Sequence, residues 1–331
     1  MPRGLGRQGT LRMGSSGAPV DAATPLAAFP DDAPDSDFGE NKSSKGAHRP
    51  RIISSTEAPE WARLPFISHG YRADHSTVEA IRSIFSLHSE TLNIWTHLIA
   101  AIYVWSLFSE VDAVMSRVSI AEPFRSRDRA CFYFYVVCAE FLLVCSVLFH
   151  TLRCVSEWHA NALLRADLVG IVVLFMGHMT MGLNVAFAPC LPIHLYCYGV
   201  ALFASLFYPL ALAIFSRNIK ASFDRINTSL ASVLAFGLVP LGHLIYLTVS
   251  LPPPHPPGIF SLMVGATFSP YVLGFALFIT GYPERLFPDG SFDLVGASHQ
   301  FWHVGCALGI VFGLRGFLDF YEWRGAVPRY C

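Results

Sequence analysis

Seven long apolar runs constrain this chain more than any other feature of its sequence. They lie roughly at residues 91–109, 130–151, 166–187, 193–215, 227–250, 259–281 and 298–319. Each run is close to the ~20 apolar residues that a helix needs to cross the hydrocarbon core of a bilayer. Charged residues make up only 14% of the chain, against roughly 25% in soluble domains. The sequence therefore predicts an all-α, multi-pass integral membrane protein that folds as a seven-transmembrane helix bundle in the lipid bilayer.

The segment before the first run has a different character. Residues 1–62 are rich in Ser, Gly, Pro and Ala and show no apolar periodicity, which is typical of a disordered tail. We therefore expect a disordered cytoplasmic tail over residues 1–62 and a transmembrane domain over residues 63–331. Ser76 and Glu79 form the pattern of a capping box, which marks the start of a helix. The residues after it predict a short amphipathic helix at the membrane surface.

The distribution of Lys and Arg predicts the orientation of the bundle. Cytoplasmic loops carry an excess of these residues, and most of them lie before the first run or in the loops on that side. The loop after the first run is the exception, with Arg117, Arg125, Arg127 and Arg129. The balance favours a cytoplasmic N-terminus. The net charge of −1 says nothing about a nucleic-acid partner, but the sequence has no basic stripe, and we therefore expect no such partner.

Polar residues interrupt the apolar runs in four groups. The groups are Glu90, Asn93 and His97; Ser146 and His150; Asp167; and His299 and His303. Ionisable side chains inside a membrane span are costly and usually face the interior of the bundle. If the runs cross the membrane alternately, the second run ends at the face where the first, third and seventh begin. The topology then brings all four groups to one end of the bundle.

Three imidazoles and a carboxylate at one depth suit zinc. Three protein ligands with an open fourth position are the arrangement of a catalytic zinc site. We predict that His150, His299 and His303 bind Zn²⁺. Asp167 is then expected to hydrogen-bond a water in the fourth position, and Ser146 to donate to a bound oxyanion or ligand.

The polar residues of the first run are expected to surround this site. Glu90, Asn93 and His97 can lock the neighbouring helices and orient the ligands. Alternatively, His97 can serve as a fourth ligand, which would close the open position. A lone intramembrane histidine is more often a hydrogen-bonded packing residue, and His178 and His243 are assigned that role.

Three motifs resemble the signature motifs of the progestin and adipoQ receptor family, which includes the adiponectin receptors and is related to haemolysin III. They are Glu90-Thr-Leu-Asn93-Ile-Trp-Thr-His97, Ser146-Val-Leu-Phe-His150 and His299-Gln-Phe-Trp-His303. Gly70-Tyr-Arg72, Asp167-Leu-Val-Gly170-Ile171 and Pro283-Glu-Arg-Leu-Phe-Pro288 agree with the family as well. The resemblance covers about residues 64–320. Around Gly70, Trp95 and Trp302 the sequence is also similar to the Golgi branch of the family that traps Raf kinase.

The resemblance implies zinc on His150, His299 and His303, with Asp167 reaching a metal-bound water and Ser146 nearby. It also implies an inward N-terminus and lipid-linked chemistry or signalling, with a ceramidase-like amide hydrolysis proposed for some members. Ceramide or a fatty acid is the expected ligand, and the plasma membrane or the Golgi and other endomembranes the expected location.

Two functions stay open from the sequence. The first is a receptor-like zinc hydrolase of a lipid amide in lipid or hormone signalling. The second is a non-catalytic receptor or scaffold with structural zinc, which binds an extracellular ligand or, through its tail, a cytosolic signalling protein. A transporter is disfavoured because the ionisable residues cluster at one end of the bundle and not at the midplane.

Overall fold

The computed structural model describes residues 50–118, 124–187, 192–219, 224–229, 257–326 and six positions between them (231, 232, 235, 239, 242 and 246). Two strands come first, β1 (Arg51–Ser54) and β2 (His69–Ala73). The helices are α1 (Thr77–Arg82), α2 (Thr91–Ser106), α3 (Phe108–Arg117), α4 (Phe124–Leu152), α5 (Glu157–Phe187), α6 (Pro192–Phe215), α7 (Pro257–Thr280) and α8 (Ser298–Ala326). The described chain is thus mostly helical, with a short hairpin ahead of the bundle.

Five stretches of described helix are long and apolar enough to cross a membrane. They are Thr91–Arg117, Arg125–Leu152, Glu157–Asn184, Tyr196–Phe215 and Ser298–Trp323. The sixth predicted run coincides with α7, whose part Gly265–Thr280 is apolar but shorter. Most of the fifth run, residues 227–250, lies outside the described residues. A multi-pass membrane fold is therefore established, and the count of seven spans stays a prediction.

The bundle is built from helix pairs that bury a common core. α4 packs along α5 and α7 along α8, while α2 lies against both α4 and α8. Large apolar side chains at the helix contacts are fully buried, among them Tyr135, Leu143 and Ile310. Others point outward, such as Trp105, which is 67% exposed, as expected where lipid replaces water around the protein.

Glycines let α8 approach α7 closely. A Cβ on Gly309 would lie 2.3–2.6 Å from ring atoms of Tyr271, and one on Gly305 would lie 2.5 Å from the carbonyl oxygen of Pro270. Inside a membrane the hydrophobic effect does not drive helices together, because the lipid is as apolar as their side chains. Close packing of this kind is then a main source of helix association. The row of small residues on α8 therefore fixes the position of the helix that carries His299 and His303.

The N-terminal hairpin corrects two expectations. β1 pairs with β2 in an antiparallel arrangement, and Ile53 and Tyr71 are each 5% exposed in a small core. The chain is therefore not purely α-helical, and residues 51–62 do not belong to a disordered tail. Strands of four and five residues are too short to give a recognisable alternating pattern. Residues 1–49 of the expected tail lie outside the described residues.

The helix predicted before the first span is present as α1. The Glu79 amide donates to the Ser76 hydroxyl, and the Ser76 amide donates to the Glu79 carboxylate, so the capping box is confirmed. Val78, Ile81 and Phe85 are 57%, 50% and 82% exposed. An open apolar face on a short capped helix fits the expected position at the membrane surface.

Candidate metal centre

Three histidine rings from α4 and α8 meet at one end of the bundle. One ring nitrogen from each of His150, His299 and His303 lies within 4.8 Å of the other two. The Nε2 atom of His299 is 3.4 Å from Nε2 of His150 and 3.2 Å from Nε2 of His303. His150 and His303 are 0% and 2% exposed. The structure thus brings together the three histidines that the sequence singled out.

Hydrogen bonds fix which nitrogens face the centre. Nδ1 of His150 donates to Oε2 of Glu90 at 2.7 Å, and Nδ1 of His303 donates to the main-chain carbonyl of Asn93 at 3.0 Å. A neutral imidazole that donates from Nδ1 keeps a lone pair on Nε2. His150 and His303 therefore both present lone pairs to the centre. This is the tautomer that second-shell hydrogen bonds impose on metal-binding histidines.

The donor set and its spacing fit zinc. In a tetrahedral site with Zn–N distances of about 2.0–2.1 Å, neighbouring ligand nitrogens lie about 3.3 Å apart. The two separations at His299, 3.4 and 3.2 Å, agree with that value. A proton on His299 can satisfy only one of the two facing lone pairs. A cation would satisfy both, and so His150, His299 and His303 are the residues that could hold one.

Glu90 joins α2 to the metal-binding end of α4. Its Oε2 accepts from His150 and also from Nδ2 of Asn93 at 2.8 Å, and its Oε1 accepts from Arg153 at 2.9 Å. Glu90 is 5% exposed, and a carboxylate buried this deeply needs such partners. Glu90 and Asn93 thus lie beside the histidines, and their role in orienting metal ligands stays a prediction.

The start of α8 is held by a side chain from the preceding loop. Glu284 accepts from the Ser298 amide at 2.7 Å and from the Ser298 hydroxyl. Gln300 folds back and accepts from the Gly296 amide at 2.6 Å. The first contact satisfies an amide that the helix N-terminus leaves free, and the second fixes the turn just before the helix. The turn that carries His299 is therefore rigidly placed.

His97 lies against the cluster but is not one of the converging atoms. Its ring stacks on His303 with 3.9 Å between centroids. Neither of its ring nitrogens makes a hydrogen bond of ordinary geometry with the described residues, and His97 is 3% exposed. His97 therefore packs against a candidate ligand, and the alternative in which it is a fourth ligand has no geometric support.

Ser146 and Asp167 lie to one side of the histidines. Ser146 is 1% exposed, and its hydroxyl makes no hydrogen bond of ordinary geometry with the described residues. The half-buried Asp167 carboxyl is next to that hydroxyl and within electrostatic range of His150. It is not among the atoms that converge within 4.8 Å. The structure places both residues near the cluster without putting either into it.

Of the two histidines that we expected to be packing residues, His178 and His243, the structure describes only His178. His178 hydrogen-bonds the Tyr271 hydroxyl at 3.1 Å and stacks on Tyr135 with 4.6 Å between centroids. This is the packing role that the sequence predicted. His243 lies outside the described residues.

Sequence reasoning missed two arginines beside the centre. Arg153 pairs with Glu90, and Arg72 donates to the main-chain carbonyl of His150. From the sequence, both arginines contribute only to the Lys/Arg balance that predicts the orientation, and Arg72 also belongs to the motif Gly70-Tyr-Arg72. A buried arginine that bonds main-chain carbonyls leaves no spacing pattern, so the family motif around Arg72 was the one available signal.

Comparisons with known proteins agree with the fold and the motifs. Residues 85–314 match the family described as haemolysin-III related. Heptahelical transmembrane protein 1 of Arabidopsis thaliana is 30% identical over 296 residues, which cover 86% of this chain and 85% of that protein. Progestin and adipoQ receptor family member 3 of Homo sapiens is 28% identical over 250 residues, covering 72% and 76%. The adiponectin receptor protein of Drosophila melanogaster is 30% identical over 268 residues, covering 77% and 56%. With its motifs and its helical bundle, this chain belongs to the haemolysin-III-related family of membrane proteins, together with relatives named as adiponectin and progestin and adipoQ receptors.

Proposed function

We propose that this chain is a receptor-like membrane protein with a zinc centre on His150, His299 and His303, and that the centre hydrolyses a lipid amide such as ceramide. The convergence of three Nε2 atoms carries the proposal, because two of them keep lone pairs that face the same point. The receptor-like context is supported by the names of the relatives, among them an adiponectin receptor. The protein would work in the plasma membrane or in an endomembrane such as the Golgi.

The residues around the centre suit hydrolysis of an amide. Zinc on three imidazoles would polarise a carbonyl and lower the pKa of water. In the reaction the oxygen of water bonds to the carbonyl carbon, the C–N bond breaks, and the amine leaves with a proton. Asp167 is the base that accepts the proton of the attacking water and returns it to the amine. Ser146, with a buried hydroxyl that makes no hydrogen bond of ordinary geometry in the described part of the chain, donates to the oxyanion.

A lipid substrate suits the position of the centre. The histidines lie at the ends of α4 and α8, and the stretches next to them, residues 130–149 and 304–314, are apolar apart from Glu140 and Ser146. A polar amide group would reach the histidines at the end of the bundle, while its acyl chain would extend between the helices. Ceramide has this form, and the fatty acid released from it would occupy the same space.

One observation favours a second function without catalysis. The cluster and its hydrogen bonds connect three helices, since Glu90 and Asn93 of the α2 end contact His150 of α4 and His303 of α8. A zinc ion there would hold the helix ends together. The protein would then be a receptor or scaffold, with an extracellular ligand or a cytosolic signalling protein as its partner.

The two functions are separated by metal analysis and turnover measured on the same purified protein. For a hydrolase, we expect about one zinc per chain and release of fatty acid from ceramide that stops when a chelator removes the metal. Restoring zinc to the stripped protein is the matched control and should restore turnover. Zinc without turnover would favour the scaffold, and the absence of zinc would reject both forms of the proposal.

We also propose a cytoplasmic N-terminus, from the Lys/Arg balance. Two glycosylation sequons, Asn41-Lys-Ser43 and Asn227-Thr-Ser229, would then both face the cytosol. We expect neither asparagine to be glycosylated in cells, because the glycosyl transfer occurs in the lumen. The check is the mass of the protein before and after glycosidase treatment. A linker with a sequon, inserted between residues 119 and 123, is the positive control, and a glycan on Asn41 or Asn227 would reverse the orientation.

A further inference from the structure

Arg72 of β2 reaches into the end of α4. Its Nη1 donates to the Thr151 carbonyl at 3.0 Å and to the Ser83 hydroxyl at 2.8 Å, and its Nη2 donates to the carbonyl of His150. The residue is 7% exposed. The last carbonyls of a helix have no donor within the helix, and a cation there also interacts favourably with the helix dipole. Arg72 therefore fixes the helical turn that carries His150.

A second connection runs from the hairpin region to the ring of His150. Nη2 of Arg153 donates to the Ala62 carbonyl at 3.2 Å, and its Nη1 donates to Oε1 of Glu90 at 2.9 Å. The other oxygen of Glu90 accepts from Nδ1 of His150. The segment between β1 and β2 is thus linked to the imidazole through two charged side chains.

A third connection reaches the start of α8. The amide and the hydroxyl of Ser68 donate to Oδ2 of Asp293 at 3.1 and 2.6 Å. Ala297, two residues before His299, packs in one small core with Ile53 and Tyr71 of the hairpin. The hairpin therefore contacts both of the helix ends that carry candidate ligands.

The hydrogen bonds of Arg72 go to neutral groups, two of which are carbonyls of α4. Its bonded partners among the described residues are two carbonyls and one hydroxyl. His88, which lies between Ser83 and Glu90, is neutral at physiological pH, because burial and the charge of Arg72 lower its pKa to about 4. Its Nε2 donates to the Ser83 carbonyl at 3.1 Å, and its Nδ1 accepts from the Glu90 amide at 3.1 Å.

We propose that the N-terminal hairpin (residues 51–73) holds the helix ends of the metal centre in place, with Arg72 as the residue that positions His150. Docking of the hairpin and binding of the metal then stabilise each other, since linkage between two sites is reciprocal. A partner that pulled the hairpin off the end of α4 would weaken metal binding by the same factor. The proposal rests on the proposed zinc centre and adds a coupling between that centre and the cytoplasmic end of the chain.

The first test compares the zinc affinity of Arg72 variants with that of the full-length wild type. Arg72→Lys keeps the charge but cannot bond two carbonyls and a hydroxyl at once, and Arg72→Gln also removes the charge. We expect zinc affinity to fall about 10- to 100-fold in both, as for other residues that orient metal ligands. Arg82→Gln is the matched control, because Arg82 is exposed on α1, and it should keep wild-type affinity. The measurement is competition with a chelator of known affinity.

The second test needs no variant and so does not depend on whether the variants fold. Amide hydrogen exchange of residues 51–73 is measured in wild-type protein with zinc and after chelation. We expect these amides to exchange at least several-fold faster without the metal. Wild-type affinity in a folded Arg72→Lys protein, or exchange that zinc leaves unchanged, would overturn the coupling while leaving the zinc centre intact. A wild type that binds no zinc at all would instead overturn the proposed function and the coupling together.

Discussion

Replacing His303 with alanine is expected to reduce bound zinc from about one ion per chain to background. The substitution removes one of three imidazoles that converge within 4.8 Å, and two histidines at the ends of different helices are a poor zinc site. It also frees the Asn93 carbonyl, which accepts from Nδ1 of His303. We therefore expect the variant to lose both the metal and part of the contact between α2 and α8.

The loss of zinc should also appear in stability. A ligand that binds only the folded protein contributes about 2.7 kcal/mol when its concentration is 100 times its Kd. We expect chelation to lower the melting temperature of the wild type and to leave that of His303→Ala unchanged. His178→Ala is the matched control, because His178 is an intramembrane histidine in hydrogen-bond contact with Tyr271 and away from the cluster. It should lose stability and keep its zinc. Full zinc occupancy in His303→Ala would refute the assignment of the ligands.

The convergence of the histidines could be predicted because it depends only on the spacing of residues along a helix and on the alternation of the spans. The spacing of His299 and His303 places both on one face of a helix, and the alternation of spans places His150 at the same end. Neither step needs the exact helix boundaries, so both were correct although α4 begins before and α8 ends after the predicted spans. Because spans cross the membrane alternately, the face at which two motifs lie depends only on whether the number of spans between them is odd or even.

The surroundings of the centre could not be predicted in the same way. Asn93 contributes its main-chain carbonyl to His303, and the sequence pattern pointed only to its side chain. Arg72 acts on carbonyls that lie 78 and 79 positions further along the chain, and any residue type can supply a carbonyl. Contacts of this kind depend on the tertiary approach of two segments and leave no local signal.

Asp167→Asn is expected to separate the hydrolase from the scaffold. The change keeps the size of the side chain and its capacity to hydrogen-bond, but an amide cannot accept a proton at neutral pH. Because Asp167 lies near His150 and outside the group of converging atoms, the variant should keep its zinc and its melting temperature. Turnover of ceramide should fall by about 10²-fold or more, within the range usual for loss of a general base.

Asp319→Asn is the matched control for this change. It makes the same substitution on an exposed position of α8, about 24 Å beyond His303 at 1.5 Å per residue. It should leave zinc content, melting temperature and turnover at wild-type values. A decrease in both aspartate variants would show a general effect of the substitution and not a role for Asp167 as base.

The possible outcomes of Asp167→Asn distinguish the mechanisms. If the variant loses its zinc, Asp167 is a direct ligand and the fourth position is closed, which counts against hydrolysis at this centre. If the wild type shows no turnover and the variant still supports signalling, the zinc is structural and the scaffold is correct. Loss of turnover with zinc retained is the expected result, because a group that moves a proton affects the reaction without holding the metal. Ser146→Ala should then lower turnover as well, since its buried hydroxyl has no hydrogen-bond partner of ordinary geometry among the described residues and is available to the oxyanion.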